Sequence, residues 1–472
     1  MLTEQAVRYT LRQLARLAGV DQIAPNGNGF ESLGISVYYD RPESTLTERP
    51  AIIVVPCDQR EAWYSLLNRE PHSIDWFPTD QIMPTGYEHN LNSSIPVLFW
   101  GQWSQVPRSF VQRRSNGSII FNADIVAAAF FMLSRWEEAI TLDRDQHGRF
   151  PSASSVAYKQ DFLHRPIVDE YALILRAWLE MLLPRWKPQI PHFRVFLTHD
   201  LDHPTRPTSW QKELRYAVGD VLKRHTLSQA MGRLKKMYLI KKDITNDEYF
   251  AEFRALMDVS EYYGFKSTFH FMASPGGPFD SGYDLRRLPY RSMVKEVIAR
   301  GHQVGFHPGY STYQNPQRFQ EEKDRLAEVL GHEDFGGRHH YLRFSVPTTW
   351  RLWEESALLY DSTMGYADHN GFRCGTCHPF HPFDLERDRE IDILERPLIV
   401  MDKILSQYHH HTPEQMIERV LQLARECQRV GGEFVLLWHN SPQDDIRPSG
   451  IVYRRIVERL AQVDHQDTAK ML

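Results

Sequence analysis

The sequence predicts an α/β protein in which a parallel-stranded C-terminal domain follows a smaller N-terminal α/β domain. Three observations carry this. The chain has 472 residues, long for a single domain when about 100–200 residues is usual. Its second half alternates short apolar runs with stretches of helical period, the pattern of parallel strands joined by crossover helices into a barrel or a sheet. Three of those runs end in Asp or His, and the C-terminal ends of parallel strands are where α/β folds gather functional side chains.

From the N-terminus, residues 1–25 read as an amphipathic helix without the continuous apolar core or cleavage site of a secretory signal. Ile35–Tyr39 alternates like a strand, Ala51–Pro56 reads as a buried one, and Ile95–Trp100 is another short apolar run. A helix is expected over Phe121–Thr141, capped by Asn122 or Asp124, and a second from Val168 to Leu183. Pro184 and Pro188 mark a linker, which sets the domains at 1–190 and 191–472. In the second domain Phe193–His199 is a buried-type strand running into Asp200, Leu201 and Asp202. A basic, mostly helical segment, 210–242, follows. Further helices are expected over Asn246–Tyr263, Tyr290–Ala299, Pro316–Leu330 and Thr348–Tyr360, and further strands over Lys266–Met272, His302–His307, His339–Phe344 and Glu433–His439.

Composition narrows the function classes. A formal net charge of −5 argues against a nucleic-acid or membrane role for the protein as a whole. No run of about 18 apolar residues occurs, so no transmembrane segment is expected. Four cysteines, Cys57, Cys374, Cys377 and Cys427, are too few for a disulfide framework, and a cytoplasmic location is expected. Twenty-two His and eleven Trp suit a site that handles metals and sugars.

The strand ends carry the chemistry: Asp200 with Asp202, then His307, then His439. Two or three such ligands and an open position for water make a divalent-metal site. A spare carboxylate can act as base and a His can protonate a leaving group. On a strand, the alternation of Asp200, Leu201 and Asp202 puts both carboxylates on one face.

These residues sit in motifs that resemble the polysaccharide deacetylases, carbohydrate esterase family 4. FLTHDLD resembles the family's first motif, YGFKSTFHFM its core strand, GHQVGFHPGYS its second motif and VLLWHNS its fifth, while GGRHHYLRF falls where the third is found. The resemblance covers about residues 193–445. It is closest to a bacterial branch with an extra N-terminal region that is associated with surface-polysaccharide biosynthesis. It implies a distorted (β/α) barrel and one divalent metal ion, zinc by preference. Carried over, Asp200 is the base, Asp202 and His307 are metal ligands, His439 is the acid and Arg338 orients the base. Two departures stand out: the two Asp are separated by Leu201 rather than adjacent, and the second motif lacks its second His. Where the second motif has another His, this chain has Ser311, a poor zinc ligand. His302 points to the opposite strand face from His307. The replacement is therefore His340, or its neighbour His339. A backbone N–H near Tyr341 is expected to hold the oxyanion with the metal.

The implied reaction is hydrolysis of an N-acyl group on an amino sugar or a surface-polysaccharide precursor, with a carbohydrate or a lipid-linked sugar as the substrate. Two alternatives accompany it: another amide or acyl reaction on a sugar carboxylate at the same metal site, and an inactive carbohydrate-binding protein. Oligomeric state stays open. Cys374-Gly-Thr-Cys377 reads as a redox pair, half a zinc site, or a loop lining the substrate site with Asp368 and Arg373 as substrate contacts. The basic stretch Arg233–Lys242 reads either as a solvated face packed by its apolar residues or as a contact for an anionic sugar, a lipid-linked precursor or a membrane face. His409–His411 precedes a helix entry formed by Thr412, Pro413 and Gln415.

Overall fold

The computed structural model describes residues 2–32, 34–40, 49–86, 91–102, 109–206, 214–218, 221, 226–443 and 446–469. The N-terminal region contains β1 (Ala24–Asn26), β2 (Gly29–Ser32), β3 (Ile35–Tyr39), β4 (Ile52–Val54), β5 (Asp75–Pro78), β6 (Ser94–Val97), β7 (Val111–Arg113) and β8 (Ile119–Phe121). Six of these form a mixed sheet in the order β1-β2-β3-β4-β8-β7, with β3, β4 and β8 parallel. The short strand expected near Ile95 is β6, which pairs only with β5 outside that sheet. Pro96 has no N–H to donate, which suits a two-stranded edge position.

The helix Glu4–Leu17 starts where the Thr3 side chain accepts from Ala6 N–H, and it turns Val7, Leu11 and Leu14 inward. The helix expected over Phe121–Thr141 is two helices preceded by β8. Asp124 caps Ile125–Leu133, a segment with every residue buried. Arg135 then adopts the left-handed conformation (φ 52°) before Trp136–Ile140. The break turns the Arg135 guanidinium inward onto Glu137 and Glu138.

The C-terminal region contains β9 (Arg194–Leu201), β10 (Thr268–Met272), β11 (Gln303–His307), β12 (Tyr360–Asp361), β13 (Phe383–Asp384), β14 (Arg389–Glu390), β15 (Leu394–Glu395), β16 (Val400–Met401) and β17 (Glu433–Leu437). Five of them make an all-parallel sheet, β11-β10-β9-β17-β16. Gly337 extends it by bridging Phe306 of β11 to Asp361 of β12, which pairs with β15. Only glycine fits there, because a Cβ would lie 1.8 Å from the Phe306 carbonyl oxygen. The row therefore reads β16-β17-β9-β10-β11-Gly337-β12-β15.

Laid flat, its seven inter-strand gaps would separate the edges by about 34 Å. Yet β15 and β16 are joined by Arg396–Ile399 alone, a span of at most about 18 Å. The sheet must curl. It does not close: Arg396 N–H donates to Asp361 C=O and Ile399 N–H to Val435 C=O, so each end of the connector bonds back to its own side. Among the described residues no strand pairing joins β15 to β16, and the barrel expected from the sequence is an open, curled parallel sheet.

Helices Glu248–Tyr262, Tyr290–Ala299, Pro316–Leu330, Thr348–Glu355, Pro413–Val430 and Ile451–Ala469 follow the strands. Thr412 and Gln415 form a reciprocal capping box with Pro413 in the first turn, the helix entry expected after the three histidines. The strand expected over His339–Phe344 is instead a single tight turn, His340–Leu342, with Tyr341 and Leu342 at φ 62° and 52°. One buried apolar cluster runs from Ala6 to Leu460 and includes residues of both sheets.

Candidate metal centre and cleft

A cleft of about 420 Å³ opens at the C-terminal ends of the parallel strands, lined among others by Asp200, Asp202, His307, His340, Lys403 and His439. Asp200 is the penultimate residue of β9 and Asp202 follows that strand, so alternation puts both carboxylates on the cleft side of Leu201. His307 ends β11, and His439 follows β17 by two residues. His340 comes from the strained turn after Gly337.

Asp202, His307 and His340 each offer a ligand atom within 4.8 Å of the other two. Asp202 Oδ1 lies 3.2 Å from His307 Nε2 and 3.5 Å from His340 Nε2. These are close to the edge of a tetrahedron with bonds of 2.0–2.1 Å, about 3.3 Å. The second ring nitrogens fix the tautomers. His307 Nδ1 is 2.6 Å from the Arg338 carbonyl oxygen, which can only accept, so Nδ1 carries a proton and, in the neutral ring that metal binding requires, Nε2 would present the lone pair. His340 Nδ1 donates to Asp280 at 2.9 Å with the same result. Metal-binding histidines are held in this way by an acceptor behind the ring. The donor set therefore fits a divalent ion.

Asp200 stands beside this group. Arg338 NH1 (3.0 Å) and His270 Nδ1 (2.7 Å) both donate to its Oδ1. Burial pushes the Asp200 carboxyl up, but the Arg338 guanidinium, His307 and His270 outweigh it and hold it well below the usual carboxylate range. Arg338 is itself fixed by Ser362 C=O, Ser362 Oγ and Thr198 Oγ1. Burial lowers His270 to about 4, so its ring is neutral.

On the other side, His439 Nδ1 donates to Asp402 Oδ1 at 2.7 Å, and His439 N–H donates to Asp402 Oδ2 at 2.8 Å. His439 Nε2 then faces Asp202 Oδ2 at 3.7 Å. Lys403 Nζ donates to the same oxygen at 2.9 Å. Burial lowers the Lys403 pKa, but Asp202 and Asp402 more than reverse this and keep it an ammonium.

The structure thus brings together Asp200, Asp202, His307, His340, His439 and Arg338. It separates the alternatives. His339 turns away into the core, where Nδ1 accepts from Trp353 Nε1 at 3.0 Å. His302 is bonded to Ser267 N–H and Glu261. Tyr341 lines the cleft. Asp368 and Arg373, expected as substrate contacts, do not. Arg373 is buried against Glu138 and Gly365 C=O, and Asp368 accepts from Ser152. The Cys374–Cys377 loop packs on the N-terminal region, with Asp169 accepting from Thr376 Oγ1 and Cys377 N–H. Burial pushes the Cys377 thiol well up, and Cys374 and Cys377 are free thiols rather than a disulfide. Asp169, Cys377 and His378 form a second group with metal-ligand spacing. Asp169 is already occupied there by the Thr376, Cys377 N–H and Cys377 thiol donors.

Residues that sequence reasoning missed are Lys403, Asp402, Asp280 and His270. Asp402 and Lys403 follow the apolar run PLIVM, the same strand-end signal that exposed Asp200. His270 interrupts an apolar strand, which marks a buried polar group in need of a partner. Asp280 lies in a loop with no pattern.

Taken together, the parts define a class of site: three residues that could hold a metal ion, with an ionised carboxylate on one flank and an oriented histidine on the other, at the open end of a parallel α/β sheet. A family model described as "Family of unknown function (DUF7033)" matches residues 76–184, within the N-terminal region. No curated protein matches the chain. Among solved structures, one described as "Crystal structure of putative polysaccharide deacetylase from Mycobacterium smegmatis" aligns at 15% identity and a TM-score of 0.37, over 61% of this chain and 94% of that one.

Proposed function

We propose that the protein is a divalent-metal-dependent hydrolase that removes an N-acyl group from an amino sugar, free or lipid-linked. The reading is carried by the juxtaposition of Asp202, His307 and His340 with an Arg338-held Asp200 and an Asp402-held His439. A bound divalent ion, zinc by preference for this nitrogen-rich set, would acidify a water and polarise the acyl carbonyl. Asp200 is poised to take a proton from the attacking water, because it stays ionised and carries its protein hydrogen bonds on one oxygen. His439, as the imidazolium, gives its Nε2 proton to the departing amine and keeps the Nδ1 proton that Asp402 accepts. The motif resemblance over residues 193–445 supports the same assignment. A second reading is favoured by Lys403: an ammonium among the cleft-lining groups suits a substrate bearing a carboxylate, on which the same residues would act on a neighbouring amide.

The test is metal content together with turnover. Purified protein should hold close to one equivalent of zinc by atomic emission and release acetate from N-acetylated sugars. Asp200→Asn should keep the metal and lose turnover by about 10²–10⁴-fold. Protein that holds no divalent ion after zinc dialysis, or acetate release unaffected by Asp200→Asn, would overturn the reading.

A further inference from the structure

The connection between β9 and the helix Glu248–Tyr262 carries a helix, Leu227–Lys242, that the fold leaves largely exposed: Ala230 is buried, and Leu234, Met237 and Ile240 are half-buried. Leu227, Met231, Leu234 and Tyr238 recur at i, i+4, i+7 and i+11, a single stripe. Leu227, Met231 and Tyr238 are 63%, 64% and 63% exposed. Single exposed apolar residues are ordinary, but clusters are not. Seven of the eighteen exposed large apolar side chains among the described residues lie between Leu214 and Leu239. Within Arg233–Lys242, Leu234, Met237 and Ile240 are half-buried, as the packed reading expects, whereas Tyr238 and Leu239 stay exposed.

The charge on the helix is as one-sided as its exposure. Arg233, Lys235, Lys236, Lys241 and Lys242 are its charged residues, with no carboxylate, in a chain of net charge −5. Lys236 is paired with Glu248 at 2.8 Å, and Arg233 lies over the Tyr216 ring. Lys235, Lys241 and Lys242 are exposed. At about 100° per residue, Lys235 and Lys242 fall on one flank of the apolar stripe and Lys241 on the other.

We propose that this helix docks the protein on an anionic lipid bilayer. An exposed apolar stripe flanked by lysines is the composition of a helix that lies in the bilayer interface, its apolar side chains among the acyl chains and its cations among the phosphates. No described helix is long and apolar enough to cross a membrane, so the contact is peripheral. The insertion leaves the sheet just after Asp202 and His203, at the end where the cleft opens. It returns at Glu248, beside Tyr249, whose ring lies 6.3 Å from that of cleft-lining His203. Docking through it would bring the cleft to the membrane surface, where a sugar on a lipid carrier is held.

Co-sedimentation of the full chain with vesicles tests this without reference to any catalytic activity, so failure of the hydrolytic reading leaves it standing. Vesicles of phosphatidylcholine with phosphatidylglycerol should pull the protein down and phosphatidylcholine alone should not. Raising salt to about 0.5 M should release it. Lys235→Ala with Lys242→Ala should weaken partitioning about twenty-five-fold, at about fivefold per lysine. Met231→Asp with Tyr238→Asp should abolish it while the circular dichroism spectrum and melting temperature are kept. Protein that stays in the supernatant with the anionic vesicles at low salt overturns the proposal. So does binding that both double variants retain, or a Met231/Tyr238-dependent dimer in ultracentrifugation without vesicle binding.

Discussion

Asp202 meets four nitrogens, and they divide between its two oxygens. His307 and His340 approach Oδ1 at 3.2 and 3.5 Å, whereas Lys403 and His439 approach Oδ2 at 2.9 and 3.7 Å. An ion held through Oδ1 and the two rings would share its carboxylate with the Lys403 ammonium. At that separation a dication and an ammonium repel by several kcal/mol, on the order of 5, at an effective dielectric of about 20. Lys403 is about a third exposed and can swing away on its flexible stem, so much of this is relieved. Lys403→Met should therefore tighten zinc binding by about tenfold or more in calorimetric titration, and an unchanged dissociation constant would show that the ammonium yields freely. Asp402 sets the behaviour of His439 rather than of the metal. Asp402→Asn should lower kcat by about 10²-fold or more with zinc content unchanged, and loss of zinc in that variant would place Asp402 in metal binding instead.

The turn from Arg338 to Arg343 is the element on which the site depends, and it is strained: Tyr341 and Leu342 both have positive φ. Such conformations cost about 1–3 kcal/mol each and persist where surrounding contacts over-determine them. Two of these contacts come from the N-terminal region. Arg149 NH1 donates to Tyr341 C=O at 3.0 Å, and Arg343 Nε donates to His147 C=O at 2.8 Å. Arg149→Ala should weaken zinc binding by about 10-fold through a misplaced His340, although Arg149 touches none of the three ligands, and melting temperature measured alongside should move by only a few degrees. Behind the same turn, Asp361 of β12 and Glu395 of β15 pair in register, both fully buried. Burial raises both, Asp361 to about 6 and Glu395 well above its ordinary value. The folded state thus holds a proton that the unfolded chain releases, so stability falls as pH rises from the ordinary carboxyl value of 3.8 through about 6. Glu395→Gln keeps a donor toward Asp361 and an acceptor for Trp350 Nε1. It should flatten that slope and raise stability at pH 8 by on the order of 2 kcal/mol, read by urea unfolding at pH 5 and pH 8. Identical pH slopes in the two proteins would contradict the retained proton. What the sequence discloses here follows a physical divide. β9, β11 and β17 were legible because an apolar run ending in Asp or His states its own burial and its own exit. The turn at His340–Leu342 was misread as a strand because HHYLRF has strand composition, and the restraints that bend it, Arg149 and His147, lie about 190 residues away.

At the scale of the molecule, Pro184 and Pro188 suggest two separable halves, but the packing joins them. The buried cluster is continuous from the first helix to the last, and one set of polar contacts between the halves is itself buried. Glu138 takes both Arg135 and Arg373 in salt bridges of 2.7 and 2.5 Å with all three side chains at 3% exposure or less. The two arginines hold Glu138 down to about 2 against a burial that pushes it up. Tyr9 OH donates to His381 C=O across the same boundary. None of this is legible locally, since Glu138 and Arg373 lie 235 residues apart. An ion pair taken out of water contributes little net stability when intact, but losing one partner strands the other charge at a cost of about 3–5 kcal/mol. Glu138→Ala should therefore destabilise the full chain by about that amount. A chain of residues 191–472 alone loses Glu138 and Arg135, the helix Ile125–Leu133 with every residue buried, and the two arms that hold the His340 turn. It should fail to melt cooperatively and should bind zinc at least tenfold more weakly than the full chain. Soluble 191–472 with a single sharp thermal transition and undiminished zinc affinity would show instead that the N-terminal region is an appendage, and that the curled sheet shapes the cleft unaided.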